Sequence, residues 1–147
     1  MTATRGRRAL GLDVGERRIG AAISDELGAI ASPLVMIPRG DGDLHEIARI
    51  VRERDIGTVV IGLPTGMSGR EGPQAAVTRA FATQLAERIG EGTALRFWDE
   101  RLTTAIADRT MRERGVKRDD RRKERDAIAA AVILQGWLDS QRSRGGG

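Results

Sequence analysis

Three carboxylates stand at positions that a stable core would not choose. Asp13 closes an apolar run, Glu100 closes another, and Asp126 sits at the mouth of a third. Each alone has an ordinary explanation. Asp13, close to Gly11 and Gly15, could be a turn residue; Glu100 could pair with Arg96 or Arg101 at the surface; Asp126 could be a first-turn acid favoured by a helix dipole. As a set they suit oxygen ligation of divalent cations, because two Mg²⁺ or Mn²⁺ ions about 4 Å apart need several carboxylates to offset their charge. The chemistry such a trio supports is hydrolysis of a phosphodiester, with one ion lowering the pKa of the attacking water and the other steadying the departing 3′ oxygen. No protein nucleophile is required, which fits a chain with no cysteine and only His45 as histidine. The same inventory excludes a disulfide framework, thiolate metal sites and any site built on two histidines.

Basic residues lie beside these acids. Arg17 and Arg18 follow Asp13 and Arg101 follows Glu100, within reach of phosphates flanking a cut, although each could equally be a solvated surface arginine. Between Lys117 and Arg125 the chain carries six basic residues, Lys117, Arg118, Arg121, Arg122, Lys123 and Arg125, against three acidic ones. Such a stretch can hold a phosphate backbone without reading its sequence, or it is a plain charged loop. Gly66, Gly69 and Gly72 would let a loop backbone approach a phosphate closely, and they would also suit a connector with no ligand. The chain has no tyrosine, and Phe81, Phe97, Trp98 and Trp137 all fall inside apolar patterns, so no aromatic platform for stacked bases is evident. A net charge of +4 favours a polyanionic partner without demanding one. Arg39-Gly40-Asp41 coincides with an adhesion tripeptide, but nothing else places the chain outside a cell.

The elements that would position these residues follow from the hydrophobic spacing. Leu10, Leu12 and Val14 alternate with Gly11 and Asp13, the pattern of a strand whose second face carries the acid. Residues 18–24 and 29–37 read as two further strands, joined by short connections at Gly15-Glu16 and Glu26-Leu27-Gly28, so an antiparallel meander opens the fold. Leu44, Ile47, Ala48 and Val51 give a helix, with Asp43 and Glu46 in a capping-box pattern and Gly57 as the stop. Thr58 to Leu63 is a strand apolar on both faces, as a central parallel strand should be. Pro64 to Gly72 reads as a loop and Pro73 as the first residue of a helix to about Ile89, with Val77, Phe81, Leu85 and Ile89 as its inner stripe. A fifth strand at 94–98 ends at Asp99-Glu100-Arg101. Thr103 or Thr104 can cap a helix to Arg114, and Ala127 to Leu138 forms a final helix, apolar almost all round and buried against the sheet.

A chain of 147 residues suits a single domain, 1–147, with residues 1–7 and 142–147 as disordered tails. No apolar run approaches the roughly 18 residues of a membrane span, and Met1 to Arg8 is basic with no apolar stretch behind it, so a cytoplasmic location and no membrane partner are expected. The fold class expected is α/β, a five-stranded mixed sheet with helices on both faces.

Four ordered blocks carry a resemblance. They are Gly11-Leu12-Asp13-Val14-Gly15 with Arg18-Ile19-Gly20 and Ser24-Asp25; Val60-Ile61-Gly62-Leu63-Pro64; Asp99-Glu100-Arg101-Leu102-Thr103-Thr104; and Asp126-Ala127-Ile128-Ala129-Ala130. Through them the sequence resembles, over nearly its whole length, the YqgF family, also called RuvX. Its members are put forward as nucleases for the 5′ end of precursor 16S ribosomal RNA and as Holliday junction resolvases. The resemblance implies a ribonuclease H-like fold, a mechanism through Mg²⁺ or Mn²⁺, and catalytic and metal-binding roles for Asp13, Glu100 and Asp126. It implies a nucleic-acid partner, precursor 16S RNA or branched DNA, and a monomer or weak homodimer. In the wider superfamily the second acid usually ends the fourth strand, whereas that strand here ends in Gly62-Leu63-Pro64 and Glu100 must act from the next one. Gly66-Met67-Ser68-Gly69 stands where many relatives read Asn-Met-Asp-Gly, and Arg125 where they carry an aliphatic residue.

Two other classes compete. Actin-like ATPases and sugar kinases share the Asp-x-Gly signal, but they need two such domains and a cleft, too much for this length. A non-catalytic RNA-binding assembly factor could keep the fold, but it would have no need of the full acidic trio.

Overall fold

The computed structural model describes residues 8–65, 70–100 and 125–145, and at 125, 126 and 143–145 the backbone alone. Five strands and three helices occupy them: β1 (Arg8–Val14), β2 (Arg18–Ser24), β3 (Ala31–Pro38), α1 (Asp43–Glu53), β4 (Ile56–Leu63), α2 (Pro73–Ile89), β5 (Ala94–Asp99) and α3 (Arg125–Gly145). The sheet order is β3-β2-β1-β4-β5, antiparallel through β3, β2 and β1 and parallel from β1 through β4 to β5. This is the mixed sheet that the hydrophobic alternation predicts.

Short turns fix the meander. Gly15 N–H donates to the Arg18 carbonyl at 2.9 Å, closing the first hairpin. In the second, Gly28 takes a φ of 70°, and the Asp25 carboxylate accepts from Ala29 N–H at 2.7 Å and Ile30 N–H at 3.1 Å. Those two amides are therefore spent on the turn, and β3 begins at Ala31 rather than at Ala29 as the sequence suggested. The same bonds hold the Asp25 carboxyl below its usual range.

The sheet separates two cores. Leu10, Leu12, Val14, Ile19, Ala21, Val59 and Ile61 face α1 and α2, packing with Ile47, Ile50, Phe81 and Leu85. Ala9, Ala22 and Val60 face α3, packing with Ala130, Ala131, Ile133, Leu134 and Leu138. Period-two alternation thus assigns Gly11 and Asp13 to the α3 side. Helix α3 lies directly on β1 there: a methyl group added at Gly11 would stand 2.7 Å from Leu134 Cβ and 2.9 Å from the Ala130 carbonyl oxygen. Gln135 ties the same helix to the sheet edge, accepting from Ala31 N–H and donating to the Ala29 carbonyl, both at 2.9 Å. Its side-chain amide thereby satisfies backbone groups beside an edge strand.

Several boundaries differ from expectation, each for a local reason. Asp43 does not complete a capping box: Gly42 is the N-cap of α1 with no side-chain cap, Asp43 Oδ2 accepts from Arg39 and from Gly40 N–H, and Glu46 pairs with Arg49. Gly57 does not stop α1 either. The helix ends at Glu53, Asp55 takes the left-handed turn with a φ of 57°, and Gly57 lies in β4. On α2 the inner stripe is Ala75, Thr78, Phe81, Ala82 and Leu85, leaving Val77 47% exposed. Thr78 can occupy that stripe because its hydroxyl donates to the Gln74 carbonyl at 3.0 Å. Helix α3 runs to Gly145, well past Leu138, so 142–145 continue the helix instead of forming a tail. Asp139 supports the extension, accepting from Gln135 and pairing with Arg142. Residues 1–7 and the helix expected from Thr103 or Thr104 to Arg114 lie outside the described residues. Among the described residues no helix is long and apolar enough to cross a membrane.

The contact at Gly11 yields a stability prediction. Both obstructing atoms belong to the backbone or the Cβ of α3, so a side chain can be admitted only by moving the helix. Gly11→Ala should lower stability by about 1–3 kcal/mol, measured by urea unfolding; an unchanged midpoint would show that α3 is not seated as described.

Candidate metal-binding carboxylate site

Asp13 is the penultimate residue of β1 and half-buried on the α3 face. Across the antiparallel ladder it pairs with Gly20 of β2. On its other side β1 runs parallel to β4 with Leu12 opposite Ile61, so the next step sets Asp13 beside Gly62. Both neighbours on its face lack a side chain. In β5 the residue opposite Gly62 is Trp98, which packs toward α3, and Glu100 follows directly after the strand.

Glu100 reaches back over this bare ground. Its Oε1 lies 2.8 Å from the point that a Cβ on Gly62 would occupy, and its side chain shares a hydrogen bond with Asp13. Burial raises the Glu100 pKa above the ordinary carboxylate value, the hydrogen bond with Asp13 acts in the opposite direction, and the charge of Asp99 raises it again. Two carboxyl groups in contact must share a proton or take up a cation between them. The arrangement fits hard divalent cations: the donors are all oxygen, they are half-buried, and once both are ionised they need a counter-charge.

Asp126 completes the expected trio in chain order. Helix α3 runs antiparallel to β1, since Ala130 and Leu134 cover Gly11 while Leu138 approaches Gly28 at the far end of the sheet. The backbone of Asp126, one turn before Ala130, therefore lies toward the end of β1 that carries Asp13. Its side chain lies outside the described residues, and among those described no group of three potential metal ligands occurs.

The hairpin bearing Asp13 is clamped from the opposite face of the sheet. Arg39 Nη1 donates to the Gly15 carbonyl at 3.0 Å, Arg39 Nε donates to Asp43 Oδ2 at 3.2 Å, and the Arg39 backbone N–H donates to the Arg17 carbonyl at 2.9 Å. The guanidinium lies over the Phe81 ring, 5.2 Å from its centre. One arginine thus joins the first hairpin to α1 and α2. Beyond β4, Thr65 Oγ1 donates to Asp99 Oδ1 at 2.8 Å, tying the exit of that strand to the end of β5. Sequence reasoning missed these supports. Asp43 looked like a cap and Arg39 like part of a chance tripeptide, and only the reach of the arginine across three elements reveals its place.

Of the expected phosphate contacts, Arg17 and Arg18 are exposed on the first hairpin and at the start of β2. Arg101, Gly66, Gly69, Lys117, Arg118, Arg121, Arg122 and Lys123 lie outside the described residues, and Arg125 opens α3. Gly72 is the N-cap of α2, and the following Pro73 begins it as expected. Near that start Arg79 forms a bidentate pair with Glu71 at 2.7 Å and lies over Phe97, 4.8 Å from the ring centre.

Comparison with known proteins agrees with this architecture. The profile of a family described as "RuvX: Holliday junction resolvase" matches residues 7–140. A protein of Myxococcus xanthus named "Putative pre-16S rRNA nuclease" is 44% identical over 137 residues, covering 92% of this chain and 89% of the relative. One of Symbiobacterium thermophilum with the same name is 46% identical over 136 residues, covering 91% and 93%. Among solved structures, Thermus thermophilus RuvC in complex with a Holliday junction substrate aligns with a TM-score of 0.60 at 13% identity, covering 92% of this chain and 96% of that one. The fowlpox virus resolvase with junction DNA gives 0.58 at 10% identity, covering 91% and 98%. At such identities these neighbours speak for the fold, which is of the ribonuclease H-like type.

Burying the Glu100 carboxyl beside the charge of Asp99 has a cost that can be measured. A carboxyl whose folded pKa is raised contributes stability below the ordinary glutamate range and loses it as pH rises through the raised value. In cation-free buffer at neutral pH, Glu100→Gln should therefore melt higher than the native chain. The gap should close below about pH 4, where the Glu100 carboxyl is protonated in the folded and unfolded chain alike. Millimolar Mn²⁺ should stabilise the native chain and leave the variant nearly unmoved. A variant that melts lower without cation, or responds equally to Mn²⁺, would contradict this account.

Proposed function

The chain belongs to the RuvX family, and on that footing we propose that it is a metal-dependent nuclease trimming the 5′ end of precursor 16S ribosomal RNA in the cytoplasm. The observation that carries this reading is the meeting of Asp13 and Glu100, 87 positions apart in the chain, over a stretch of sheet with no intervening side chain. The names of the relatives support the substrate.

Asp13, Glu100 and Asp126 are the ligands for Mg²⁺ or Mn²⁺, most simply two ions. When bound, such ions supply an activated water and neutralise charge on the phosphate. The chain does the rest by position. Its strand ends hold the acids at fixed spacing, and Arg39 and Thr65 keep the two flanking segments from drifting. Arg17 and Arg18, with Arg101 and the basic residues Lys117, Arg118, Arg121, Arg122, Lys123 and Arg125, hold the phosphate backbone on either side. Gly66 and Gly69, having no side chains, would leave room for a phosphate beside them. Recognition by backbone and shape follows from the lack of an aromatic platform.

A second reading is resolution of branched DNA. The family description favours it, and it uses the same acids. Symmetric cutting of two strands calls for a dimer, whereas trimming of an RNA end is served by a monomer or a weak homodimer.

Cleavage of a precursor 16S leader, an unrelated single strand and a four-way junction should be compared in one assay, with mass measured in solution. The leader should be cut fastest; preferential, paired cutting of the junction by a dimer would move the assignment to the second reading. Asp13→Asn should lose cleavage on the order of 10²-fold or more while still binding RNA, and equal activity in variant and native protein would refute the metal mechanism. Arg17→Ala should weaken binding across all sequences and reduce the slope of log K against log salt by about one; an unchanged slope would remove Arg17 from the phosphate path.

A further inference from the structure

Glycine is an unfavourable residue for the interior of a central strand, since it adds flexibility and packs nothing. Gly62 nevertheless stands near the end of β4, buried between β1 and β5. Its backbone does not demand glycine: the described glycines with left-handed φ are Gly28, Gly40 and Gly90. The demand is for space. A Cβ at position 62 would lie 2.4 Å from Ile133 Cδ1, 3.1 Å from Ile133 Cγ1 and 2.8 Å from Glu100 Oε1.

These two conflicts differ in kind. Ile133 Cδ1 is the end of a flexible side chain in the α3 core and can turn aside or be shortened. The Glu100 oxygen can withdraw only by giving up its place beside Asp13, because Asp13 is the next residue along this face and β4 lies between β1 and β5. Whatever fills position 62 therefore decides whether an acid borne after β5 can reach one borne on β1.

We propose that Gly62 is a positioning residue whose missing side chain is the seat of the Glu100 carboxylate. The strand that could have carried an acid directly beside Asp13 instead leaves a gap, and the acid arrives from one strand further away. The inference rests on the nuclease reading only in taking Asp13 and Glu100 as cation ligands.

The test uses the full chain as native protein, Gly62→Ala, Gly62→Ala/Ile133→Val and Gly62→Ala/Glu100→Gln, with Mn²⁺ as the probe. Thermal unfolding in chelator and Mn²⁺ affinity by titration calorimetry are read separately. Gly62→Ala should lose both stability and affinity. Adding Ile133→Val removes Cδ1, the closest obstruction in the core, and should recover most of the melting temperature while Mn²⁺ affinity stays at least about tenfold below native. Gly62→Ala/Glu100→Gln should bind Mn²⁺ no more weakly than Gly62→Ala, because Glu100 has already been displaced.

Native affinity in the Ile133→Val double variant would overturn the proposal, since the gap would then serve only the core. A double variant as unstable as Gly62→Ala would overturn it as well. If the native chain itself takes up no Mn²⁺, the cation reading of the site falls and this inference falls with it, an outcome distinct from native binding with an unaffected variant.

Discussion

Two acids are held in hydrogen-bonded contact, one of them partly desolvated, at the end of a sheet, and much of the molecule serves that constraint. Left to themselves, two carboxyl side chains would turn to solvent, where water satisfies them at no desolvation cost. Here Asp13 is fixed by its pairing with Gly20 of β2, one residue beyond the last β1–β4 pair, Leu12 with Ile61, and Glu100 is folded inward, partly desolvated, onto a bare patch of β4. Burial pushes the glutamate toward its neutral form and the neighbouring Asp99 pushes it further. A partly buried carboxyl pair of this kind is the sort of preformed oxygen site that a divalent cation could occupy with little rearrangement, as the proposed function requires.

Rigidity of that kind has to come from the apolar layers. The α1–α2 core fixes β1 from below through Leu10, Leu12 and Val14, and α3 presses on it from above at Gly11, close enough to exclude a methyl group. The first hairpin would still be free to hinge about Gly15. Arg39 removes that freedom by bonding to the Gly15 carbonyl while anchored on Asp43, which is itself buried, and stacked on Phe81. The charge on this arginine is matched by Asp43, so the clamp adds little net field to the acidic side of the sheet.

Strand positions were readable in the sequence because alternation over apolar runs is a direct consequence of burial, and the antiparallel meander followed from short turns at Gly15 and Gly28. The resemblance to RuvX, carried by four ordered blocks, agreed with that order of elements. What could not be read depended on partners distant in the chain. Asp43 has the local appearance of a cap, yet Arg39 and Gly40 claim its carboxylate. Val77 fits a helical stripe by spacing, but the sheet meets α2 one position further round, at Thr78. Helix α3 outlasts its apolar pattern because polar contacts on one face, Gln135 with Asp139 and Asp139 with Arg142, continue after burial stops. Of the site, the three acids could be nominated from sequence; that Asp13 and Glu100 touch, and that a glycine lies under the contact, required coordinates.

That glycine bears on how this site relates to the wider fold. The neighbours with resolved junction complexes share the architecture at 10–13% identity, so little side-chain detail need be common to them. In the ribonuclease H-like pattern the second acid commonly ends the fourth strand, adjacent to the first. A sheet offers another solution: β5 and β1 are two strand spacings apart, about 10 Å, and a glutamate reaching across one spacing meets an aspartate reaching from the other side over β4. An acid can therefore be carried one strand away provided the strand between presents no side chain. Glutamate rather than aspartate at position 100 follows from the same geometry, since the shorter side chain would leave the carboxylate over β5. Length at position 100 and emptiness at position 62 are two halves of one requirement, and neither is informative in the sequence until the strands are laid side by side.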